Sequence, residues 1–151
     1  MFGWDWGPQI PDSGIFRNIS IQGYKYGRLD DVYITQQHNG KEVLLDVRVG
    51  HTRWNIKRVP VEVVVTAPNG ETAVSRVDTS NSTEHILLSI ANPELWWPNG
   101  YGAQPLYQVK VSLKKDNDLL DLWKCNIGLR TIKVRREKDE WGESFEFNVN
   151  G

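Results

Sequence analysis

The stretch EVLLDVRVG, residues 42–50, decides the fold class because apolar residues occupy every second position from Val43 to Val49. Successive side chains of a β-strand point to opposite faces, so this period of two predicts a strand with one buried face. Val61, Val63 and Val65 repeat the pattern before Pro68-Asn69-Gly70. That triplet predicts a turn, because proline fixes φ and glycine permits positive φ.

The same reasoning predicts seven antiparallel strands and no helix with a convincing 3.6-residue period. Seven short strands separated by turn signals are typical of an immunoglobulin-like β-sandwich, so we predict an all-β fold of this type. The single cysteine, Cys125, cannot form an internal disulfide and is expected to be a buried small hydrophobe. The remaining strands are predicted at residues 31–36, 71–77, 84–90, 106–113 and 119–134.

The first 26 residues do not continue this series. GIFRNISIQ, residues 14–22, is interpreted as one strand that follows an irregular aromatic loop, with a domain boundary near Tyr26. A single strand cannot bury itself, so we expect it to complete a sheet of a preceding domain. We also expect the segment up to about Gln22 to be frayed in this chain.

Composition excludes several classes of partner. The formal net charge is -1, with 18 basic and 19 acidic residues mixed along the chain, so no basic patch predicts nucleic-acid or anionic-membrane binding. No window reaches the roughly 18 apolar residues of a transmembrane helix. MFGWDWGPQIP has neither the basic region nor the apolar core of a signal peptide, so periplasmic, lysosomal and cytoplasmic locations all stay open.

NPELWWPNGYGAQPLY, residues 92–107, combines two adjacent tryptophans with three prolines and two glycines. Such a segment is too broken for a helix and too rich in tryptophan for a plain linker. We favour a structural corner in which one indole of Trp96 and Trp97 enters the core and the other packs on a neighbouring domain. A carbohydrate-binding platform is the alternative.

With WDWGP at residues 4–8 and IGLRTIKV at residues 127–134, this segment resembles the β-mannosidases of glycoside hydrolase family 2. The resemblance implies three parts: the last loop and strand of a jelly-roll domain (1–26), an immunoglobulin-like sandwich (27–136), and a hairpin (137–151) that leads into a (β/α)8 barrel. It implies a scaffold and spacer inside a retaining exo-β-mannosidase that removes terminal β-mannose. The two other domains and a mannose-containing glycan are the implied partners.

The resemblance places the catalytic glutamates on the barrel, so no catalytic residue is expected in this chain and the chain alone should be inactive. Glu140 and Glu143 lie three apart in a polar segment, which is typical of a solvated face. No cofactor is implied. His38, His51 and His85 are far apart and lack paired cysteines, so we expect surface histidines and no metal site.

The residues expected to touch substrate are Trp4 and Asp5. In β-mannosidases the corresponding loop reaches over the barrel mouth, and its aromatic ring and carboxylate help to enclose the sugar. An indole face packs against the C–H side of a pyranose, and a carboxylate accepts hydrogen bonds from its hydroxyl groups. The alternative is that Trp4 and Trp6 only wedge two domains together, and for Trp6 this structural role is favoured.

Other large side chains are expected at domain seams. Trp54 and Trp141 stand in polar stretches and are candidate interdomain anchors, whereas Trp123 alternates within a strand and is expected in the core. Arg130 is expected to form an ion pair or to cap carbonyl groups at the seam. The residues given a structural or interdomain role are Trp6, Trp96, Trp97, Arg130 and Trp141.

Two rival functions stay open at this stage. A free-standing carbohydrate-binding or adhesion module would use the exposed tryptophans as a ligand platform. Within the enzymes, β-galactosidases and β-glucuronidases share the sandwich motifs, and only WDWGP favours mannosidase.

Overall fold

The computed structural model describes residues 5–9, 13–116 and 118–151, and these residues form nine β-strands and no helix. No helix among them is long and apolar enough to cross a membrane. The strands are β1 (Gly27–His38), β2 (Glu42–Arg53), β3 (Val59–Thr66), β4 (Thr72–Thr79), β5 (Thr83–Ala91), β6 (Tyr107–Lys115), β7 (Asp118–Ile127), β8 (Ile132–Arg135) and β9 (Glu146–Val149).

Seven of these strands form a sandwich of two antiparallel sheets, in the orders β1-β2-β5 and β4-β3-β6-β7. The fourth strand pairs with β3 and therefore belongs to the four-stranded sheet. β8 and β9 form a separate two-stranded hairpin. The predicted all-β, immunoglobulin-like architecture is confirmed.

The core lies between the two sheets and follows from the alternation in the sequence. From Val43 to Val49 in β2 and from Val59 to Val65 in β3, every second residue is buried and the residues between them are partly exposed. Because all these positions carry apolar side chains, burying them supplies the main driving force for folding. The buried apolar residues are Val43, Leu45, Val47, Val49, Val59, Val61, Val63, Val65, Ile86, Leu88, Tyr107, Val109, Val111, Leu113 and Leu129.

A buried tyrosine anchors the long connection between β5 and β6. Tyr107 begins β6 and is 2% exposed, and its hydroxyl accepts a hydrogen bond of 2.9 Å from the backbone N–H of Glu94. Immunoglobulin-like sandwiches use the same device, called a tyrosine corner, at the equivalent strand start. The hydroxyl is thereby satisfied inside the protein, and the loop before β6 is held against the core.

The last predicted strand, residues 119–134, is broken in the structure. β7 ends at Ile127, and Leu129 is buried where it forms an isolated parallel bridge with Leu95. β8 starts only at Ile132 and pairs with β9. The hairpin thus spans residues 132–149, whereas the sequence suggested a hairpin over residues 137–151.

Residues 14–22, which we expected to form a strand only beside a preceding domain and to be frayed in this chain, form no strand here. Residues 13–26 form no strand, and Ile15, Phe16, Ile19 and Ile21 are largely exposed. A strand needs a hydrogen-bonded neighbour, and none of the described residues supplies one. The apolar side chains of this segment are left in water.

His51 also departs from the expectation of a surface histidine. Its ring is 2% exposed at the end of β2, and neither ring nitrogen has a hydrogen-bond partner among the described residues. Burial lowers the pKa of His51, assisted by the nearby Arg53 and opposed by Asp30 and Glu84. The folded protein therefore favours the neutral ring. His38 is partly buried, and burial also lowers its pKa.

Acidification is therefore expected to destabilise the fold through His51. A histidine whose pKa is lower when folded binds a proton more readily when unfolded, so stability present above its ordinary pKa of about 6.5 is lost as the pH falls. Urea unfolding between about pH 7.5 and about pH 5.5 should show this slope, because the carboxyl groups titrate below that range.

The variant His51→Leu should lose most of the slope. Burial lowers the pKa of His38 as well, so His38 contributes to the slope with the same sign. An unchanged slope in His51→Leu would refute the role assigned to this ring.

Candidate functional site

The candidate site is the corner where the β5–β6 connection meets the chain leaving β7. The backbone N–H of Trp96 donates a hydrogen bond of 2.9 Å to the carbonyl oxygen of Leu129, beside the parallel bridge between Leu95 and Leu129. Leu95 packs against the buried core and Leu129 is part of it. This backbone pairing fixes the direction in which the chain leaves the sandwich.

Gly128 permits this crossing because it has no side chain. A Cβ atom at this position would stand 2.7 Å from Cγ and 2.8 Å from Cβ of Trp96. Cβ atoms in real proteins do not approach other atoms so closely, so the indole occupies the space that a larger residue would need. The pair Gly128 and Trp96 therefore acts as one packing unit.

Trp97 packs back onto its own loop. Its backbone N–H donates a hydrogen bond of 2.9 Å to the carbonyl of Ala103. Its ring lies against Gly102, where a Cβ atom would be 2.9 Å from the indole. Both Trp96 and Trp97 are partly exposed. The expected entry of one indole into the core is not seen, because Leu95 takes that place.

Gln36 holds the chain after β7 from the opposite side. Its amide nitrogen donates to the carbonyl of Gly128 at 3.2 Å, and its amide oxygen accepts the backbone N–H of Arg130 at 3.1 Å. A primary amide has a donor and an acceptor side by side. It can therefore pair with one backbone carbonyl and one backbone N–H, as a neighbouring strand would. Sequence reasoning missed this residue, which lies 92 to 94 positions away from its partners.

Asn150 connects the corner to the hairpin and was also missed. Its side-chain nitrogen donates to the carbonyl of Trp96 at 3.0 Å, and its side-chain oxygen accepts the N–H of Thr131 at 3.0 Å. Its own N–H donates to the carbonyl of Thr131 at 3.1 Å. Asn150 has a φ of 61°, a left-handed conformation that asparagine tolerates better than most residues.

Arg130 completes the corner. Its guanidinium carbon stands 4.6 Å from the centroid of the Trp96 ring, a distance suited to a cation–π contact. Arg130 is partly buried, and its guanidinium donates no hydrogen bond to any residue that the structure describes. Among the residues predicted for domain seams, Trp96 and Arg130 are thus in direct contact.

The remaining predicted residues lie elsewhere or outside the described part. Trp4 falls outside it. Asp5 is exposed, Trp6 is 81% exposed, and Trp141 is 88% exposed in the turn of the hairpin. The carboxylate of Asp139 shapes that turn by accepting the N–H of Trp141 at 2.8 Å.

Trp54 is less exposed, at 39%. Trp123 and Cys125, which the sequence predicted to be in the core, are partly buried and pack against it. Burial raises the pKa of the Cys125 thiol, which makes a thiolate nucleophile unfavourable there.

The acidic residues of the hairpin form surface ion pairs. Glu143 stands 2.5 Å from Arg136, and Glu137 stands 2.6 Å from Arg135. The ion pair with Arg135 lowers the pKa of Glu137, so this carboxyl is an anion at neutral pH. In the described ranges, no three His, Cys, Asp or Glu side chains come close enough to hold a metal ion.

Comparison with known proteins covers almost the whole chain. The sequence model of the family described as glycosyl hydrolases family 2 matches residues 27–130, which include the sandwich and the corner. β-Mannosidase B of Neosartorya fischeri is 32% identical over 154 aligned residues, which cover 99% of this chain and 18% of that protein. The chain thus spans about a fifth of the length of this curated relative.

Solved structures agree with the sequence comparison. The crystal structure of the β-D-mannosidase from Dictyoglomus thermophilum matches with a TM-score of 0.89 and 29% identity, over 99% of this chain and 19% of that one. A β-glucuronidase from Parabacteroides merdae matches with a TM-score of 0.64 and 16% identity, over 82% of this chain and 15% of that one. The second match shows a shared fold alone.

The packing of Trp96 against Gly128 predicts that one added methyl group at residue 128 destabilises the protein. Gly128→Ala should lower the free energy of unfolding by about 1–3 kcal/mol, because overpacking forces Trp96 or the backbone to move. Chemical denaturation of the chain measures this difference. Gly23→Ala is the matched control, since nothing lies within 4 Å of a Cβ atom there, and it should change stability little. Equal stabilities of the two variants would contradict the assigned contact.

The link through Asn150 predicts a change confined to the hairpin. Asn150→Gly keeps the left-handed backbone but removes both side-chain hydrogen bonds, so the hairpin should open more often. Tryptic cleavage at Arg135 and Arg136 should become about tenfold faster, since cleavage follows the population of the open form. Asn69→Gly, which removes a hydrogen bond in a distant turn, is the control and should leave this rate unchanged.

Proposed function

Since the chain belongs to the glycosyl hydrolases of family 2, we propose that it is the scaffold domain of a retaining β-mannosidase, an exo-acting enzyme that removes terminal β-mannose from oligosaccharides. The observation that carries this proposal is the alignment with β-mannosidase B of Neosartorya fischeri over 99% of the chain. The β-D-mannosidase from Dictyoglomus thermophilum supports it at the level of structure. WDWGP at residues 4–8 supports mannoside as the substrate.

In this proposal the chemistry takes place outside the chain. Retaining glycosidases use two carboxyl groups about 5 Å apart, one as acid/base and one as nucleophile. Glu137 and Glu143 do not suit these roles, because each forms an ion pair with an arginine at the protein surface. The two carboxyl groups would belong to a barrel domain.

The sandwich would act as a rigid spacer between two other domains. Its core is fully buried, whereas large apolar side chains are exposed at both of its ends. Ile15, Phe16 and Ile19 precede β1, and Phe145 and Phe147 lie on the hairpin. Exposed apolar groups of this size commonly mark interfaces, which is consistent with a jelly-roll domain at one end and a barrel at the other.

Residues 4–8 would be the part of this chain that reaches the substrate. Asp5 is exposed, so its carboxylate is available to accept hydrogen bonds from sugar hydroxyl groups. Trp4 would pack its indole on the C–H face of the same sugar. Trp6 would have a structural role and would pack between this loop and the surface of the neighbouring domain.

The proposed function is tested with the full-length enzyme on p-nitrophenyl β-mannoside and the matching β-galactoside and β-glucuronide. A clear preference for the mannoside is the expected result. A preference for another sugar would remove the specificity assigned to WDWGP. Absence of activity on all three, together with saturable binding of mannobiose to residues 1–151, would favour a carbohydrate-binding module instead.

The proposed hydrogen bond between Asp5 and the sugar predicts how much activity is lost when the carboxylate is removed. A charged hydrogen bond contributes about 1.5–3 kcal/mol, so Asp5→Ala in the full-length enzyme should lower kcat/KM for the mannoside about 10- to 150-fold. Glu140→Ala, which removes an exposed carboxylate in the hairpin loop, should leave kcat/KM unchanged. An unchanged value in Asp5→Ala would contradict the contact with substrate.

A further inference from the structure

Arg130 differs from the other arginines in what surrounds its guanidinium group. Arg48 and Arg58 form ion pairs with carboxylates at 2.7 Å and 2.9 Å, and Arg53 donates to two backbone carbonyls. Arg76 lacks a carboxylate partner in the described residues but is exposed to water. Arg130 is partly buried on Trp96, and no described residue accepts a hydrogen bond from its guanidinium group.

The position of this group is fixed before any partner arrives. The indole of Trp96 supports one side of the guanidinium, and Gln36 holds the backbone N–H of Arg130 at 3.1 Å. Trp96 is itself locked against Gly128. A guanidinium group held in this way loses little freedom when it forms a bidentate pair, and leaving its donors partly desolvated without acceptors is costly.

The surroundings indicate the chemistry of the partner. Arg130 lines an open groove between β1 and β7, together with Tyr33, Ile34, Asn126 and Ile132. None of the residues lining this groove carries a carboxylate. Such a groove, with one cation and no anion, fits a protein segment that carries an acidic side chain.

We propose that Arg130 binds an aspartate or glutamate carboxylate of the same enzyme, outside residues 1–151, and thereby fixes the corner against a neighbouring domain. The inference rests on the proposed function, because it takes this chain as one domain of a larger hydrolase. The partner carboxylate accepts two parallel N–H hydrogen bonds from the guanidinium group.

The hairpin favours a neighbouring domain as the source of this carboxylate. The register places Ile132, Val134, Phe147 and Val149 on one face of the hairpin, and the first three are more than half exposed. An isolated two-stranded hairpin is marginally stable, so this apolar face needs a cover. Ile132 also lines the groove beside Arg130, so the groove and the apolar face are continuous and one domain surface covers both.

The test measures thermal unfolding of the full-length enzyme at about 0.05 M and about 0.5 M KCl. Arg130→Met should lower the unfolding midpoint by about 3 °C at low salt and by clearly less at high salt, because salt screens an ion pair. Arg130→Lys keeps the charge without the planar fork and should lose about half as much. Lys133→Met, which removes an exposed cation three residues away, is the control and should have no effect.

Each other outcome contradicts the inference in a recognisable way. An equal shift at both salt concentrations would mean that Arg130 acts only by stacking on Trp96, and no shift would mean that it has no partner. A shift that grows with enzyme concentration would place the carboxylate on a second copy of the enzyme. Because no hydrolysis is measured, these results are independent of whether the enzyme prefers mannosides.

Discussion

The contact between Gly128 and Trp96 is the constraint on which the rest of the corner depends. A Cβ atom at residue 128 would come within 2.7 Å of the indole, so the crossing exists only because this position is glycine. The indole in turn supports the guanidinium of Arg130, and the Trp96 carbonyl accepts the side chain of Asn150. One packing contact thereby connects the sandwich, the seam and the hairpin.

The sandwich has a buried core and the two flanking segments do not, because only the sheets can bury their apolar side chains against each other. The two sheets satisfy each other, because alternating valines and leucines of β2, β3 and β6 fill the space between them. The hairpin and residues 13–26 have exposed apolar side chains, and no described residues form a second layer over them. A stable centre with apolar ends is the pattern expected of a spacer within a larger hydrolase.

The fold was predictable because its signal is local, whereas much of the corner was not. Alternation in residues 42–50 needs no knowledge of distant residues, and Tyr107 and the turns fit the same sandwich. Gln36 and Asn150 act on backbone groups far away in sequence, and an amide residue carries no pattern that reveals such a partner. His51 was misjudged because its polar side chain suggested a place at the surface.

Native-state hydrogen exchange of the 151-residue chain tests most directly whether the corner joins the hairpin to the sandwich. The account predicts that the amides of Trp96, Arg130 and Thr131 exchange with protection close to that of β3 and β6, while residues 13–26 exchange almost freely. Protection of β3 and β6 without protection of these three amides would contradict it, because the corner would then open independently of the core.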